Sequence, residues 1–289
     1  MNKHILMRKD LQDTYGILEL QNKILEITLY LDKFCKEHNI SYYLMGGSAL
    51  GAMRHGGFIP WDDDLDVFMD FKNYQKFINI CKKYLDKEHF YLQQENTLEL
   101  PLFYSKLRMN GTAFIEDVFK KRKNMHLGIF VDIMCLNNAA TTKIGKYIQY
   151  YAAALLKANA VSKLDYNTNS KLKKFQLFLA KYGVNRLTKP ILIYLVRRYN
   201  NKPSKEVAHI FGRAKFKNSF YPADDFGMPR YVSFETVKLP VPQKVEDYLT
   251  RRYGKNYMQM PDAATRALYQ NHSVSWSTNQ DYKGLLNGK

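Results

Sequence analysis

Four aspartates stand within five positions in the segment WDDDLDV, directly before a run of apolar residues. If residues 65–70 form a β-strand, Asp64 and Asp66 point to the same side of it, because strand side chains alternate between faces. A third acid, Asp132, lies inside the apolar run IFVDIM, where a carboxylate is costly unless a partner satisfies it. Two neighbouring strands would bring these carboxylates together. Such oxygen ligands suit Mg²⁺ or Mn²⁺, so we predict a metal site at Asp64, Asp66 and Asp132.

A glycine-rich segment, Gly46-Gly47-Ser48, precedes the acids. Glycines allow the backbone to approach a ligand closely, and a helix that starts at Ser48 directs free N–H groups and a positive dipole end toward it. We therefore predict a phosphate-binding turn. Each feature has a simpler explanation by itself: an ordinary turn, a solvated acidic loop, a structural buried acid. Together they favour phosphoryl or nucleotidyl transfer.

The longer run GGSALGAMRHGGFIPWDDDLDV resembles the signature of the LicD family of phosphotransferases. That family includes bacterial phosphocholine transferases and, more distantly, fukutin-related sugar-alcohol phosphate transferases. The resemblance continues through YSKLRMNGTAFIED and GIFVDIMCL into the tail FETVKLPVPQKVEDYLTRRYGKNYMQMPD, so it covers about residues 40–136 and 224–275. It implies a nucleotidyltransferase-like core, a CDP-activated donor such as CDP-choline, and a hydroxyl of a cell-surface glycan as acceptor.

The resemblance also implies roles for single residues. Asp62 is the first acid of the family's Trp-Asp-x-Asp-x-Asp run and joins Asp64, Asp66 and Asp132 as an expected catalytic residue. Asn137 stands where a second acid is expected after Asp132, which puts any role of that acid, including acceptor preference, in question here.

Five further residues are weaker candidates for binding the donor. Arg54, Lys106 and Arg108 could bind its diphosphate, because cationic side chains pair with phosphate oxygens. His55 could contact phosphate, and Trp61 could stack on a base or cover a quaternary ammonium. Surface ion pairs, a turn histidine and a buried tryptophan are the structural alternatives.

Periodicity predicts the elements that must position these residues. Helices are expected at 11–38, from Ser48 onward, at 71–84 and at 242–254, with helical patterns throughout 143–211. Strands are expected at 40–45, 65–70 and 127–136 and in three short segments between residues 90 and 117. Residues 219–242, rich in proline and glycine, read as irregular. The fold class we expect is α+β, a nucleotidyltransferase-like core with a small mixed sheet flanked by helices, plus a basic helical insertion.

Composition limits the alternatives. Three widely spaced cysteines among 289 residues indicate reduced thiols rather than a disulfide framework. The sequence shows neither a signal-peptide pattern nor an apolar run long enough to span a bilayer, so we expect a cytoplasmic protein. The net charge is +17, of which residues 143–217 carry +15, with 17 Lys/Arg and two acids. Basic residues interleaved with apolar ones at 171–202 indicate docking on the inner face of an anionic membrane, or binding of an anionic acceptor chain.

These observations divide the chain into a catalytic core at 1–142, a basic lobe at 143–218 and a C-terminal segment at 219–289 that completes the core. The leading functional hypothesis is Mg²⁺- or Mn²⁺-dependent transfer of phosphocholine, or a similar phospho-alcohol from CDP-ribitol or CDP-glycerol, to a lipid-linked or polymeric glycan such as a teichoic acid precursor. The second is a nucleotidyltransferase that releases pyrophosphate. The third, a nucleic-acid-binding adaptor, leaves the aspartates unexplained, and no specific nucleic-acid partner is expected.

Overall fold

The structure is a computed structural model that describes residues 13–122, 124–164, 166, 168–267 and 273–287. Its helices are α1 (Leu18–Glu37), α2 (Gly46–His55), α3 (Phe71–Tyr84), α4 (Lys143–Val161), α5 (Lys171–Gly183), α6 (Thr188–Arg197), α7 (Val245–Tyr253), α8 (Ala263–Ala267) and α9 (Tyr282–Asn287). Its strands are β1 (Tyr43–Leu44), β2 (Asp66–Asp70), β3 (Phe90–Gln93), β4 (Ser105–Met109), β5 (Ala113–Glu116), β6 (Phe130–Asn138), β7 (Glu206–Ala208), β8 (Phe220–Pro222), β9 (Arg230–Phe234), β10 (Val237–Val241) and β11 (Ser273–Ser277).

A mixed sheet forms the centre of the molecule. Five strands lie in the order β1-β2-β6-β4-β3, and β7 and β8 continue from β6. Strands β2 and β6 run parallel, whereas β1, β3, β4, β7 and β8 pair antiparallel with their neighbours. With helices against this sheet, the α+β class predicted from the sequence is confirmed.

One face of the central sheet belongs to the hydrophobic core. Val67, Val131 and Ile133 are fully buried there, and α1 and α3 pack against β2, β4 and β6. Helix α3 begins where β2 ends, because the Asp70 carboxylate accepts a hydrogen bond of 2.8 Å from the Asn73 N–H and so caps the helix. The opposite face carries Asp66, Asp132 and Lys106 together with the buried Phe68 and Phe130.

Helices α4, α5 and α6 pack on one another beside the sheet. A second apolar cluster lies between them, with members on α4 (Ala152, Ala153, Leu156, Ala160) and α6 (Val196). The Gln149 side chain donates 2.8 Å hydrogen bonds to the carbonyls of Asn138 and Val196, which joins α4 to both β6 and α6. The helical pattern read from the sequence is confirmed for these three segments, while the domain boundaries at 143 and 218 stay a prediction.

Residues 219–242 are not irregular, as the sequence suggested. They contain β8 and the hairpin of β9 and β10. Pro240 is accommodated because a two-stranded hairpin has outer edges at which a missing N–H costs little. At the turn, the Glu235 carboxylate accepts a 2.9 Å hydrogen bond from the Phe58 N–H. The hairpin therefore supports the loop that leads into the aspartates.

In the part of the chain that the structure describes, no helix is both long and apolar enough to cross a bilayer.

Candidate active site

A row of polar side chains crosses four strands on the face of the sheet opposite α1 and α3. In register, Asp66 of β2 stands beside Asp132 of β6, Asp132 beside Lys106 of β4, and Lys106 beside Gln93 of β3. Residues paired in register point to the same face of a sheet. The two aspartates read from separate parts of the sequence are therefore direct neighbours.

Lys106 is the cation within this row. Its Nζ lies 3.0 Å from Asp132 Oδ1 and 3.3 Å from Glu116 Oε2, and 3.2 Å from the centre of the Phe130 ring. The lysine is fully buried, as is Arg108, whose Nη2 lies 3.6 Å from Glu116 Oε2. A buried ammonium requires such compensation, so Lys106 and the carboxylates depend on each other.

The carboxylates of the row are partly or fully buried, which disfavours their ionised form. Burial raises the pKa of Asp66 well above its usual range, and the charges of Asp64 and Asp132 raise it further, with only partial relief from Arg252 and Lys106. Burial likewise raises the pKa of Asp132 to about 6, although Lys106 acts in the opposite direction. Negative charge is thus in excess at this point, and an additional cation would be favourable.

The metal site predicted at Asp64, Asp66 and Asp132 is only partly formed. Within the described residues, no group of three or more His, Cys, Asp or Glu side chains is arranged to hold a metal ion. The two neighbouring aspartates nevertheless fit a hard divalent cation, because carboxylate oxygens are suitable ligands and a bound cation would offset the cost of keeping buried carboxylates ionised. The metal role of these residues stays a prediction.

Helix α2 begins beside this row, two residues earlier than the sequence suggested. It starts at Gly46, which has φ +53°, and no side chain caps it. The Gly46 N–H donates a 2.9 Å hydrogen bond to the Tyr248 hydroxyl, and Ser48 Oγ accepts one of 2.9 Å from the Asp66 N–H. The serine therefore holds the start of β2 against the helix, and the predicted phosphate-binding turn lies next to the aspartates.

Gly47 is required by its neighbour Asp62. A Cβ at this position would lie 2.6 Å from Asp62 Oδ2, closer than carbon and oxygen can approach. The Gln21 side chain of α1 donates hydrogen bonds of 3.1 and 2.6 Å to the carbonyls of Ile59 and Asp62, which fixes the loop. Asp62 is thereby placed over the beginning of α2.

Two residues beside the row were missed in the sequence. Arg252 of α7 lies close to Gly46, since a Cβ added to that glycine would be 3.3 Å from Arg252 Nη2. The Nε of Arg252 is buried and has no hydrogen-bond acceptor among the described residues. Tyr104 stands before β4; burial raises the pKa of its phenol, and Asp132, Glu116 and other charges contribute. The tail motif YLTRRYG could have indicated Arg252, whereas Tyr104 carried no signal of its own.

Arg54, His55 and Trp61, three residues predicted to bind the donor, contact other parts of the protein. The Arg54 guanidinium donates hydrogen bonds to the carbonyls of Tyr257 (3.2 Å) and Gln259 (3.1 Å). Trp61 is 5% exposed and packs near His55, with 6.1 Å between ring centroids. Arg54 and Trp61 thus have contacts within the protein, and the donor-binding roles of all three residues stay predictions.

Arg108 is buried as well, and it donates hydrogen bonds to Gln93 Oε1 (2.8 Å) and the Gly128 carbonyl (2.6 Å). Its role in binding the donor likewise stays a prediction. His272, a further candidate for closing the site, lies outside the described residues.

Comparison with known proteins bears directly on this arrangement. The family model described as "LicD/FKTN/FKRP, nucleotidyltransferase domain" matches residues 39–143. Residues 39–143 therefore resemble the nucleotidyltransferase domain of the LicD family, and we call this segment the LicD-like domain. It contains the beginning of α2, the aspartates, Lys106 and β6, so the resemblance read from the sequence is confirmed.

Curated relatives extend the similarity. The lipopolysaccharide cholinephosphotransferase LicD of Haemophilus influenzae is 26% identical over 250 residues, covering 84% of this chain and 91% of the relative. An uncharacterised protein of Rickettsia prowazekii is 35% identical over 66 residues, covering 16% of this chain and 25% of its own length. The similarity to the Haemophilus influenzae protein extends well beyond the LicD-like domain.

Proposed function

We propose that the protein transfers phosphocholine, or a similar phospho-alcohol, from a CDP-activated donor to a hydroxyl of a cell-surface glycan or teichoic acid precursor. The observation that carries this proposal is the pairing of Asp66 with Asp132 beside the beginning of α2, within the LicD-like domain. Similarity to a cholinephosphotransferase over most of the chain supports phosphocholine as the group transferred.

In this reaction the acceptor oxygen attacks the phosphorus that carries the alcohol, and the bond from that phosphorus to the oxygen of CMP breaks. CMP leaves, and the proton of the acceptor hydroxyl passes to a carboxylate, for which Asp62 and Asp132 are the candidates. Asp64, Asp66 and Asp132 would hold Mg²⁺ or Mn²⁺, which neutralises phosphate charge when bound.

The donor's diphosphate would lie at the beginning of α2. The positive end of the helix dipole favours an anion there. Arg252 adds a guanidinium beside Gly46, with a buried nitrogen that has no acceptor within the described residues. Tyr104, next to the row, offers an aromatic face to a quaternary ammonium such as choline.

Product analysis tests the proposal. Purified protein would be incubated with Mg²⁺ and CDP-choline, CDP-ribitol or CDP-glycerol, with and without a glycan acceptor. We expect acceptor-dependent CMP release that is greatest with CDP-choline. CMP release from none of the three donors would contradict the proposal.

A second candidate is supported by the description of the matching family model as a nucleotidyltransferase domain. Such an enzyme would attack the α-phosphorus of a nucleoside triphosphate and release pyrophosphate. Incubation with CTP and a phospho-alcohol, with pyrophosphate as the readout, separates the two reactions.

We further propose that the core at 1–142 and 219–289 carries catalysis, and that the enzyme acts at the cytoplasmic face of a membrane.

A further inference from the structure

Helices α4, α5 and α6 expose an unusual amount of apolar surface. Of the 22 large hydrophobic side chains that are exposed within the described residues, 12 lie on these three helices. On α4 and α6 they include Ile144 (74% exposed), Tyr151 (59%), Ile191 (59%) and Tyr194 (64%). Exposed apolar side chains concentrated on three helices that pack beside one another indicate an interaction site.

Helix α5 exposes its apolar face most clearly. A surface helix normally turns its apolar face toward the core. In α5, every residue of which is described, only Ala180 is buried. Leu172, Phe175, Leu179 and Tyr182 recur at helical spacing and are 53–67% exposed. The apolar face of α5 therefore points outward, away from α4.

The charge around this apolar face is positive throughout. Residues 171–202 contain nine Lys/Arg and no acid, with Lys171, Lys174 and Lys181 exposed on α5. A second copy of the same surface would be repelled by like charge. Arg197 does not belong to this surface, because it pairs with the buried Glu95 of the core. The partner that fits must be both apolar and negatively charged.

A cavity of about 520 Å³ opens at one side of α6. It is lined by Asn96, Arg186, Lys189, Pro190, Ile193 and Tyr194. Two cations stand next to an apolar wall, an arrangement that suits an amphiphile with a phosphate group and a hydrocarbon chain.

We propose that the outer faces of α4, α5 and α6, called here the α4–α6 surface, dock the protein on a membrane that contains anionic phospholipids. Apolar side chains enter the interfacial region of the bilayer while the lysines attract its negative charge. The helices lie on the membrane and do not cross it, consistent with the absence of spanning helices within the described residues. The proposal specifies the surface by which an enzyme acting on a lipid-linked acceptor would be held.

Flotation with vesicles tests the docking without any substrate, so its result is independent of the transferase proposal. The probes are vesicles of phosphatidylcholine alone and with increasing phosphatidylglycerol. We expect binding that rises with phosphatidylglycerol and falls with salt. The triple variant Lys171→Gln, Lys174→Gln, Lys181→Gln should weaken partitioning about 100-fold, since each lysine near such a surface contributes about five-fold.

The matched charge control is Lys72→Gln, Lys82→Gln, Lys83→Gln on α3, where three exposed lysines are removed elsewhere. It should bind vesicles like the wild type.

A second variant tests the apolar part. Phe175→Ser, Leu179→Ser, Tyr182→Ser should lose binding even at low salt, whereas Tyr84→Ser, Leu98→Ser, exposed elsewhere, should not. Because these side chains are exposed, thermal unfolding should be unchanged in both variants. Equal loss in the control variants, no binding of wild type to phosphatidylglycerol vesicles at low salt, or self-association through α5 in sedimentation would overturn the proposal.

Discussion

Replacing Asp132 by asparagine removes a carboxylate that is ionised at neutral pH despite its surroundings. Burial raises the pKa of Asp132 from 3.8 to about 6, even with Lys106 Nζ 3.0 Å away. One pKa unit corresponds to about 1.4 kcal/mol, so the ionised carboxylate costs the folded protein about 3 kcal/mol relative to the unfolded chain.

The sign of the effect follows from the direction of this shift. The pKa is higher in the folded state, so the penalty is absent below about pH 4 and complete above about pH 6. Asparagine carries no such penalty at any pH. The free energy of unfolding of Asp132→Asn, minus that of the wild type, should therefore rise by about 3 kcal/mol between about pH 4 and pH 8.

Urea unfolding, followed by the fluorescence of Trp61 and Trp276 in buffers with EDTA, measures this difference. Asp224→Asn, at an exposed aspartate, is the control and should show a difference that does not change with pH. A difference for Asp132→Asn that stays constant or falls with pH would refute the reasoning, because it would mean that Lys106 outweighs burial. Added Mg²⁺ should stabilise the wild type at pH 8, and Asp132→Asn much less.

Four other substitutions test the site. Asp64→Asn and Asp66→Asn should abolish CMP release with an unchanged circular dichroism spectrum, whereas full turnover in EDTA would remove the metal from the mechanism. Lys106→Met should lower the free energy of unfolding by about 3–5 kcal/mol at pH 7, because it leaves buried carboxylates without their cation. An equal loss at pH 4 would assign that effect to packing instead. Gly47→Ala would put a methyl group 2.6 Å from the carboxylate that covers α2, so the KM for the donor should rise. Gly183→Ala, with no neighbour within 4 Å, should leave it unchanged.

Local pattern was sufficient to predict several elements. Periodicity placed α3 at 71–84, where the structure has Phe71–Tyr84, and alternation placed Asp66 on β2. The long helix predicted at 11–38 begins only at Leu18, and residues 11–12 lie outside the described part. These signals are local, because they depend on which side chains share one face of one element.

Long-range pairing could not be read in the same way. The role of Lys106 in binding phosphate stays a prediction. What could not be read from the sequence is the antiparallel register of β4 and β6, which puts this lysine beside Asp132. The proximity of Arg252 to Gly46 depends on how α7 packs on α2, and β9 and β10 were hidden by Pro240. One sequence does not specify which strands become neighbours.

The hydrogen bond from Gly46 to Tyr248 joins residues that are 202 positions apart. Arg252, on the same helix as Tyr248, is equally remote from α2 along the chain. During synthesis, α2 and the aspartates leave the ribosome long before α7 exists, so the growing chain carries the aspartates without Tyr248 and Arg252. Contacts of such separation slow folding. The order of synthesis therefore delays the assembly of the candidate active site until after the whole basic lobe has been made.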